Sequence, residues 1–429
     1  KYSASSIGCL RYKVEKHFER SKTQQYCTLA SATMSNTNNK SSAMANSSSS
    51  LASSKYAYYW SSINDANNND NNNDNISSLS PSRILQTMIG AIALLTFILV
   101  WLASLGSPIL GLYWFWNENY FSVFILVVLT LIAYLPWGGE SSDDNIMKSY
   151  ARTSTLYYKK YIVIFQKQQS LPSTTTTTTT AKTVLETKEN KDENKQKQQQ
   201  PHQPLLYAVH PHGAFCLGWS ALFCSKIMND AKVQFCFSPV LFTSPLFRLW
   251  SRLTGTPGSA DKSSMINYMM KKKDGKQRNH LALPPGGFEE ATLTCRNKDR
   301  VYIKKRTGFV KLALQHGYNI VPVYTFGENQ TYDNIQGMWN FRLWLNKLGI
   351  PAIVVFGSWF FPILPKRDNC GLRIVVGEPV VLPTISNPSR EEVKHWHDKY
   401  ITALTRIFEE HKEEYYGPEI AKTQKLEVW

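Results

Sequence analysis

The chain has 429 residues, 43% of them hydrophobic, and carries a formal net charge of +16. This length accommodates one large domain or two ordinary ones, and the excess of Lys and Arg predicts an anionic partner: nucleic acid, an acidic membrane face or a phosphorylated ligand. No RNP, zinc-finger, KH or basic-zipper pattern occurs, so we do not expect nucleic acid. The seven cysteines are scattered and never form C-x-x-C, which argues against a disulfide framework and against a zinc site.

The first 82 residues are predicted to form a disordered tail. Residues 35–82 are rich in Ser and Asn, with asparagine runs at 67–69 and 71–73. A segment of this composition buries too little apolar surface to offset the entropy of ordering.

Two apolar runs follow the tail and predict a transmembrane helical hairpin over 83–138. Ile84 to Leu105 and Tyr120 to Trp137 contain no charged residue, and the first run is long enough to cross a hydrocarbon core. The connection lacks Lys and Arg, whereas Arg83 and Lys148 flank the pair, so both ends should face the cytosol. The alternative is a helical hairpin buried in the core of a soluble protein. The sequence is consistent with a hairpin that spans the bilayer fully and with one that enters a single leaflet.

Residues 139–204 are predicted to form an amphipathic, low-complexity linker, because a polar tract runs from about Gln166 to Gln203. Over 205–429, short apolar runs alternate with helical patterns, which predicts an α/β domain whose sheet is covered by helices. Helices are expected over Ser263–Lys273 and Phe309–His316, and from the capping box that begins at Ser389. The predicted strands are Leu205–Val209, Val233–Phe237, His280–Leu283, Ile320–Tyr324, Ala352–Phe356 and Leu372–Val376.

A histidine pair follows the first predicted strand of this domain. His210-Pro211-His212-Gly213 comes directly after Leu205–Val209, and its Pro and Gly predict a tight turn. Histidine exchanges protons near neutral pH, and open α/β sheets place ligands at the carboxyl ends of their strands. The motif is consistent with a catalytic pair or with a turn that carries two solvated imidazoles.

A glycine pair and two carboxylates follow the strand His280–Leu283. The segment from Pro284 to Glu290 reads P-P-G-G-F-E-E. Paired glycines let backbone N–H groups hold an anion, and Glu290 or Glu289 is placed to orient an imidazole or a hydroxyl. An ordinary turn is the alternative.

A basic cluster opens the third motif. Lys304, Lys305 and Arg306 precede a short predicted helix, a glycine cap and a buried strand. Such a cluster at a helix start suits phosphate binding, although most basic runs are solvated faces. The pattern from Arg306 to Glu328 is R-x-G-F-x-x-x-A-x-x-x-G-x-x-x-V-P-x-x-x-F-G-E.

In this order the three motifs resemble those of the type-2 diacylglycerol acyltransferase family, which also includes monoacylglycerol and wax-alcohol acyltransferases. The resemblance runs from Leu205 to about Tyr416, and the third motif matches at every fixed position. It implies a glycerolipid-acyltransferase-like α/β sheet covered by helices, preceded by a transmembrane helical hairpin. It also implies a multi-pass protein of the endoplasmic reticulum membrane, with lipid droplets as a second location.

The resemblance implies acyl transfer from acyl-CoA to the hydroxyl of diacylglycerol, which gives triacylglycerol and CoA. A primary alcohol is a poor nucleophile at neutral pH, so an imidazole must take its proton as it attacks the thioester. His212 or His210 supplies this base, with the other orienting it or the substrate, and Glu290 completes the catalytic set. Acyl-CoA acts as a substrate, and we expect no cofactor, no metal and no covalent intermediate.

Two further groups of residues are expected to contact the substrates. The amides expected to stabilise the oxyanion are those of Gly213, Gly286 and Gly287. The residues expected to bind acyl-CoA are Lys304, Arg306, Gly308 and Phe309. The predicted partners are therefore acyl-CoA and membrane diacylglycerol, and a homo-oligomer stays open.

Other activities stay as alternatives. A monoacylglycerol or a wax alcohol is an alternative acceptor. A lysophospholipid acyltransferase would carry H-x4-D, but Phe215 and Leu217 stand at the fifth positions after His210 and His212. A non-catalytic scaffold that coats lipid droplets would not need all three motifs. The apolar run from Trp359 to Leu364 is consistent with lipid contact or with burial in the core.

Overall fold

The computed structural model describes residues 56–60, 81–135, 145–166, 203–270, 272–273, 277–348, 352–367 and 371–429, and only the backbone of 56–60, 105, 272–273 and 277–278. The helices are α1 (Pro81–Trp116), α2 (Tyr120–Tyr134), α3 (Ile146–Arg152), α4 (Leu217–Cys224), α5 (Lys226–Asp230), α6 (Pro239–Thr243), α7 (Pro245–Thr254), α8 (Lys262–Met270), α9 (Gly287–Leu293), α10 (Gly308–His316), α11 (Trp339–Lys347), α12 (Arg390–Tyr416) and α13 (Pro418–Thr423). Short 3-10 helices cover Thr153–Tyr157 and Glu328–Gln330. The strands are β1 (Tyr56–Trp60), β2 (Lys160–Gln166), β3 (Leu205–His210), β4 (Gln234–Phe237), β5 (Pro257–Ser259), β6 (Lys272–Lys273), β7 (Gln277–Arg278), β8 (Leu281–Leu283), β9 (Asp299–Val301), β10 (Asn319–Phe326), β11 (Asp333–Asn334), β12 (Val355–Phe356), β13 (Gly371–Val376) and β14 (Leu426–Val428).

An eight-stranded sheet in the order β1-β2-β13-β10-β3-β8-β4-β5 forms the centre of the fold. The strands β10, β3, β8, β4 and β5 are parallel to one another. On the other side, β2 and β13 are parallel to each other, while β13 is antiparallel to β10 and β1 is antiparallel to β2. Since β3, β8 and β10 are neighbours with the same direction, the residues that follow them, among them His212, Glu290 and Glu328, meet at one edge of the sheet.

Helices cover both faces of this sheet, as the apolar strands predict. Along β3, Tyr207 and Val209 pack in one apolar cluster with residues of α1 and α4. Their neighbours Leu206 and Ala208 pack in a second cluster with residues of α10 and α12. This alternation confirms an α/β architecture with a mostly parallel sheet.

Most predicted elements of the domain are found. Five of the six predicted strands lie in the main sheet with ends that move by one or two residues, and the exception is Ala352–Phe356. It shortens to β12, which pairs with β11 in a separate two-stranded sheet. The capping box is confirmed, because the Glu392 amide donates to Ser389 Oγ over 3.1 Å and the Ser389 amide donates to Glu392 Oε2 over 2.7 Å.

The tail and linker predictions are wrong where the structure describes those segments. Tyr56–Trp60, within the predicted tail, is β1, and α3 and β2 lie within the predicted linker. Along β2, Tyr161, Val163 and Ile164 are buried, so this short apolar run orders despite its polar surroundings. Residues 1–55, 61–80 and 167–202 lie outside the described residues, and the domain boundaries remain predictions.

The first apolar helix is longer than predicted, because α1 continues through Pro108 to Trp116. A proline removes the hydrogen bond to the carbonyl four residues earlier, here that of Ser104. That carbonyl accepts instead from the hydroxyls of Ser107 and Ser244, each over 3.1 Å. Its lost helical bond is thereby replaced, and the turn to α2 moves to 117–119.

Within the described part of the chain, the stretch Pro81–Ser104 alone is long and apolar enough to cross a membrane. The helix Tyr120–Tyr134 is apolar but shorter, so the transmembrane hairpin remains a prediction. α1 packs closely on the domain, because a Cβ at Gly90 would lie 2.3 Å from the Tyr157 amide nitrogen. α2 is also attached, since Arg252 Nη1 donates to the Ala133 carbonyl over 2.9 Å.

Candidate active site

A buried carboxylate–imidazole pair lies at the carboxyl edge of the sheet. His210 is the last residue of β3, and Glu290 lies in the first turn of α9, which begins four residues after β8. His210 Nδ1 lies 3.0 Å from Glu290 Oε1 and 3.1 Å from Oε2, and both side chains are fully buried. A carboxylate can only accept in such a pair, so it fixes the proton on Nδ1 and leaves Nε2 as the acceptor.

The other ring nitrogen of His210 has no partner among the described residues. Nε2 is buried and makes no hydrogen bond there. A buried polar atom normally has a partner, and one that lacks a partner marks a strained or functional position. Nε2 is therefore the atom at which this pair can accept a proton.

Glu290 also fixes the backbone around the pair. Its Oε1 accepts from the His212 amide over 2.6 Å, and its Oε2 accepts from the Tyr302 amide over 2.7 Å. The carboxylate folds back over the start of its own helix, because a Cβ at Gly286 would lie 2.1 Å from Oε2. Glycine at 286 is thus required for this side-chain position.

His212 occupies a different environment from His210. Its Nδ1 lies 3.0 Å from the Gly213 carbonyl and therefore donates to it, and Cys216 Sγ lies 3.2 Å from both ring nitrogens. Burial lowers the pKa of His212 and raises the pKa of the Cys216 thiol well above its usual range. Cys216 thus stays a neutral thiol beside a neutral imidazole.

A second buried carboxylate, two residues after the end of β10, supports the histidine turn. Glu328 Oε1 accepts from the Leu217 amide over 3.0 Å and Oε2 from the Gly218 amide over 2.7 Å, at the start of α4. Gly213 has φ +63°, and a Cβ there would lie 2.1 Å from Glu328 Oε1. Burial raises the pKa of Glu328 to about 7, although the two amides act in the opposite direction. Glu328 is the last residue of the third sequence motif, but the sequence alone predicts no role for it.

The predicted oxyanion amides are not all free. The Gly287 amide donates to the Pro284 carbonyl over 3.3 Å, so the turn already uses it. Gly287 has φ +59°, a conformation that favours glycine. The expectation for Gly287 is therefore corrected, while Gly213 and Gly286 lie on the two segments that Glu290 joins.

The predicted acyl-CoA residues fall into two groups. Arg306 forms an ion pair with Glu289 and lies over the Tyr302 ring, with Cζ 5.6 Å from the ring centroid. Lys304 is exposed nearby, and space is open above Gly308, since no atom lies within 4 Å of a Cβ built there. The structure instead buries Phe309, whose ring lies 5.1 Å from that of Tyr400. Arg306 therefore contacts α9 through Glu289, whereas Phe309 belongs to the core.

This geometry is typical of an enzyme that activates a hydroxyl or water with a carboxylate-oriented histidine. No group of three His, Cys, Asp or Glu side chains in the described ranges is arranged to hold a metal ion. Residues 192–429 match the family described as Diacylglycerol acyltransferase. The chain therefore belongs to the diacylglycerol acyltransferase family.

Individual relatives carry several activities in their names. The chain is 32% identical over 260 residues to Acyl-CoA wax alcohol acyltransferase 1 of Homo sapiens, which covers 57% of this chain and 74% of that protein. It is 32% identical over 235 residues to 2-acylglycerol O-acyltransferase 1 of Bos taurus, with coverages of 51% and 68%. It is 30% identical over 245 residues to Diacylglycerol O-acyltransferase 2 of Homo sapiens, with coverages of 52% and 60%. The chain is thus similar to acyltransferases whose names specify different acceptors.

Proposed function

We propose that this protein transfers an acyl group from acyl-CoA to the free hydroxyl of diacylglycerol and thereby makes triacylglycerol. The observation that carries the proposal is the buried Glu290–His210 pair, whose Nε2 has no partner among the described residues. General base catalysis by such a group contributes about 10²–10⁴-fold to a rate. The relatives support acyl transfer, and the choice of diacylglycerol among their acceptors belongs to this proposal.

The proposed reaction is a direct transfer with His210 as the general base. Nε2 takes the hydroxyl proton while the hydroxyl oxygen attacks the thioester carbonyl, and the new ester C–O bond replaces the C–S bond. Glu290 stabilises the imidazolium that forms, as a carboxylate does in a hydrolase triad. The imidazolium then returns the proton to the departing CoA sulfur. No covalent intermediate is needed, and the buried, protonated thiol of Cys216 is a poor nucleophile.

His212 has a positioning role in this proposal. Its ring donates to the Gly213 carbonyl, and its amide donates to Glu290, so it joins the turn to the carboxylate. The amides of Gly213 and Gly286 are the proposed donors to the oxyanion. A preorganised donor of this kind is worth about 3–4 kcal/mol in acyl transfer.

We place the acyl-CoA phosphates at Arg306 and Lys304. Phosphate is a better bidentate partner for a guanidinium than water is, but here it must compete with Glu289 for Arg306. CoA binding should therefore exchange the Glu289 ion pair for a phosphate contact. This exchange would change the contacts of Glu289, which lies in α9 next to Glu290.

We also place the protein in the endoplasmic reticulum membrane, with its catalytic domain on the cytosolic side and lipid droplets as a second location. The apolar helix Pro81–Ser104 and the lipid nature of the acceptor support this location. Acyl-CoA is a water-soluble polyanion, so the cytosolic side is the one from which it reaches the site.

The test is an acceptor panel on membranes that contain the full chain. Labelled acyl-CoA is supplied with diacylglycerol, monoacylglycerol, a long-chain alcohol or a lysophospholipid, and the products are separated by class. We expect the highest kcat/KM for diacylglycerol. His395→Ala, at an exposed position of α12, is the matched histidine control. Wax ester or diacylglycerol as the main product would reassign the acceptor, and a protein without any acyl transfer would refute the proposal.

A further inference from the structure

Helix α11 carries its polar and apolar side chains in the reverse of the usual arrangement. Arg342 is 6% exposed and Asn346 is 7% exposed, whereas Phe341 is 55% and Trp344 is 50% exposed. The rings of Phe341 and Trp344 stack on the outer surface, with centroids 6.0 Å apart. A helix on a water-exposed surface normally buries its apolar stripe, so this face is suited to an apolar surrounding.

The inward polar residues of α11 attach it to the candidate active site. Asn346 Nδ2 donates to Thr292 Oγ1 over 2.7 Å, and Thr292 lies in α9, the helix that carries Glu290. Arg342 Nε donates to the Ala352 carbonyl over 2.9 Å. The buried polar contacts therefore fix the orientation of α11 and hold its apolar face outward.

Three consecutive aromatic residues lie a few positions after Ala352, whose carbonyl accepts from Arg342 of α11. We call Trp359, Phe360 and Phe361 the aromatic tip, and the first two are each 92% exposed. The backbone around the tip is closed, because the Gly357 amide donates to the Pro362 carbonyl and the Ser358 amide to the Leu364 carbonyl, each over 2.7 Å. A hydrogen-bonded loop thus keeps the aromatic tip exposed on the surface of the protein.

The loop connects the aromatic tip to the apolar helix α1. Arg367 Nη2 donates to Thr87 Oγ1 over 2.8 Å, and Tyr157 Oη donates to the Pro365 carbonyl over 2.6 Å. Near Thr87, Ile84 and Met88 of α1 are exposed. The loop that carries the aromatic tip is therefore attached to α1 next to exposed apolar side chains of that helix.

We propose that the outer face of α11 and the aromatic tip form a membrane-contacting surface that lies in the interfacial layer of a bilayer beside α1. Tryptophan next to basic side chains is typical of that layer, and Lys347 and Arg367 flank this surface. A protein partner would not need continuity with a helix that is apolar enough to cross a membrane. A further consequence, which rests on the proposed function, is that acceptor lipid reaches α9 from this surface.

Photo-crosslinking tests the membrane contact independently of catalysis. A benzophenone side chain is placed at position 360 or 344 of the full chain, in microsomes that contain tritiated phosphatidylcholine. The matched control places it at Glu391, an exposed position of α12 on the opposite face of the sheet. We expect phospholipid label at 360 and 344 and little at 391. Equal label at all three positions, or crosslinks to protein alone, would overturn the proposal.

A double substitution tests lipid delivery. Trp359→Asp with Phe360→Asp should raise the KM for long-chain diacylglycerol in vesicles ~10-fold, because charged side chains leave the interface. The KM for a water-soluble short-chain diacylglycerol should be unchanged. Unaltered kinetics with both substrates would contradict delivery from this surface. A wild-type chain that makes no triacylglycerol from either would refute the proposed function, while the crosslinking result would still decide the membrane contact.

Discussion

Glu328 should make the stability of the folded protein depend on pH in a way that one substitution removes. Burial raises its pKa from 4.5 to about 7, so the fold favours the protonated form. A group whose pKa is higher in the folded state contributes stability that is complete below the unfolded pKa and is lost as pH rises through the folded pKa. The relevant window therefore runs from about pH 4.5 to about pH 7.

The size of this effect follows from the same two pKa values. Each pH unit between 4.5 and about 7 corresponds to about 1.4 kcal/mol, which gives about 3 kcal/mol in total. In Glu328→Gln the side chain is neutral throughout, and its oxygen can accept from the Leu217 or the Gly218 amide. The variant should therefore lack this loss of stability, and its advantage over the wild type should grow from about pH 4.5 to about pH 7 and stay constant above that range.

The assay is thermal unfolding of the detergent-solubilised full chain, followed by tryptophan fluorescence from pH 4.5 to 8.5. Glu413→Gln, at an exposed position of α12, is the matched control and should follow the wild type. Other groups titrate in this range, so the quantity to compare is the difference between each variant and the wild type. The same pH dependence in Glu328→Gln and in the wild type would refute the argument.

Two further pairs of substitutions test the acyl-CoA site and the geometry of the histidine turn. Arg306→Glu should raise the KM for acyl-CoA far more than the KM for diacylglycerol, because only CoA is polyanionic. Glu289→Gln should lower the KM for acyl-CoA, because it releases Arg306 from its ion pair. A larger effect on the KM for diacylglycerol would count against acyl-CoA binding at this site. Gly213→Ala should destabilise the protein by ~2 kcal/mol or more, because the new Cβ would lie 2.1 Å from Glu328 Oε1 at a residue with positive φ. Gly308→Ala should be tolerated, because no atom lies within 4 Å of a Cβ at that position. Equal melting temperatures for the two alanine variants would refute this turn geometry.

The sequence predicts the convergence of the three motifs because the rule behind it is topological. Short strands apolar on both faces indicate a covered parallel sheet, and the carboxyl ends of parallel strands meet at one edge. His210 and Glu290 could therefore be expected near each other. Which imidazole pairs with the carboxylate depends on how the turn directs each side chain, and the order of residues does not encode that directly.

Other features depend on contacts between distant segments. The sequence shows Arg306 in a basic cluster, but its pairing with Glu289 requires the position of α9 relative to the following loop. The composition of the segment around β2 does not predict a strand, because polar residues there outnumber the residues of the short apolar run. The reversed polarity of α11 depends on a tertiary contact, because the bond from Arg342 to the Ala352 carbonyl buries the polar face of the helix.

The roles of the two histidines are the most direct test of the proposed mechanism. Single-turnover acyl transfer is measured with matched protein levels for His210→Ala, His212→Ala and the surface control His395→Ala. Loss of the general base should lower the rate by ~10³-fold in His210→Ala, whereas His212→Ala should keep a measurable fraction, because it loses only a positioning contact. Near-normal transfer by His210→Ala, together with its loss in His212→Ala, would contradict the assignment of the Glu290–His210 pair as the proton acceptor.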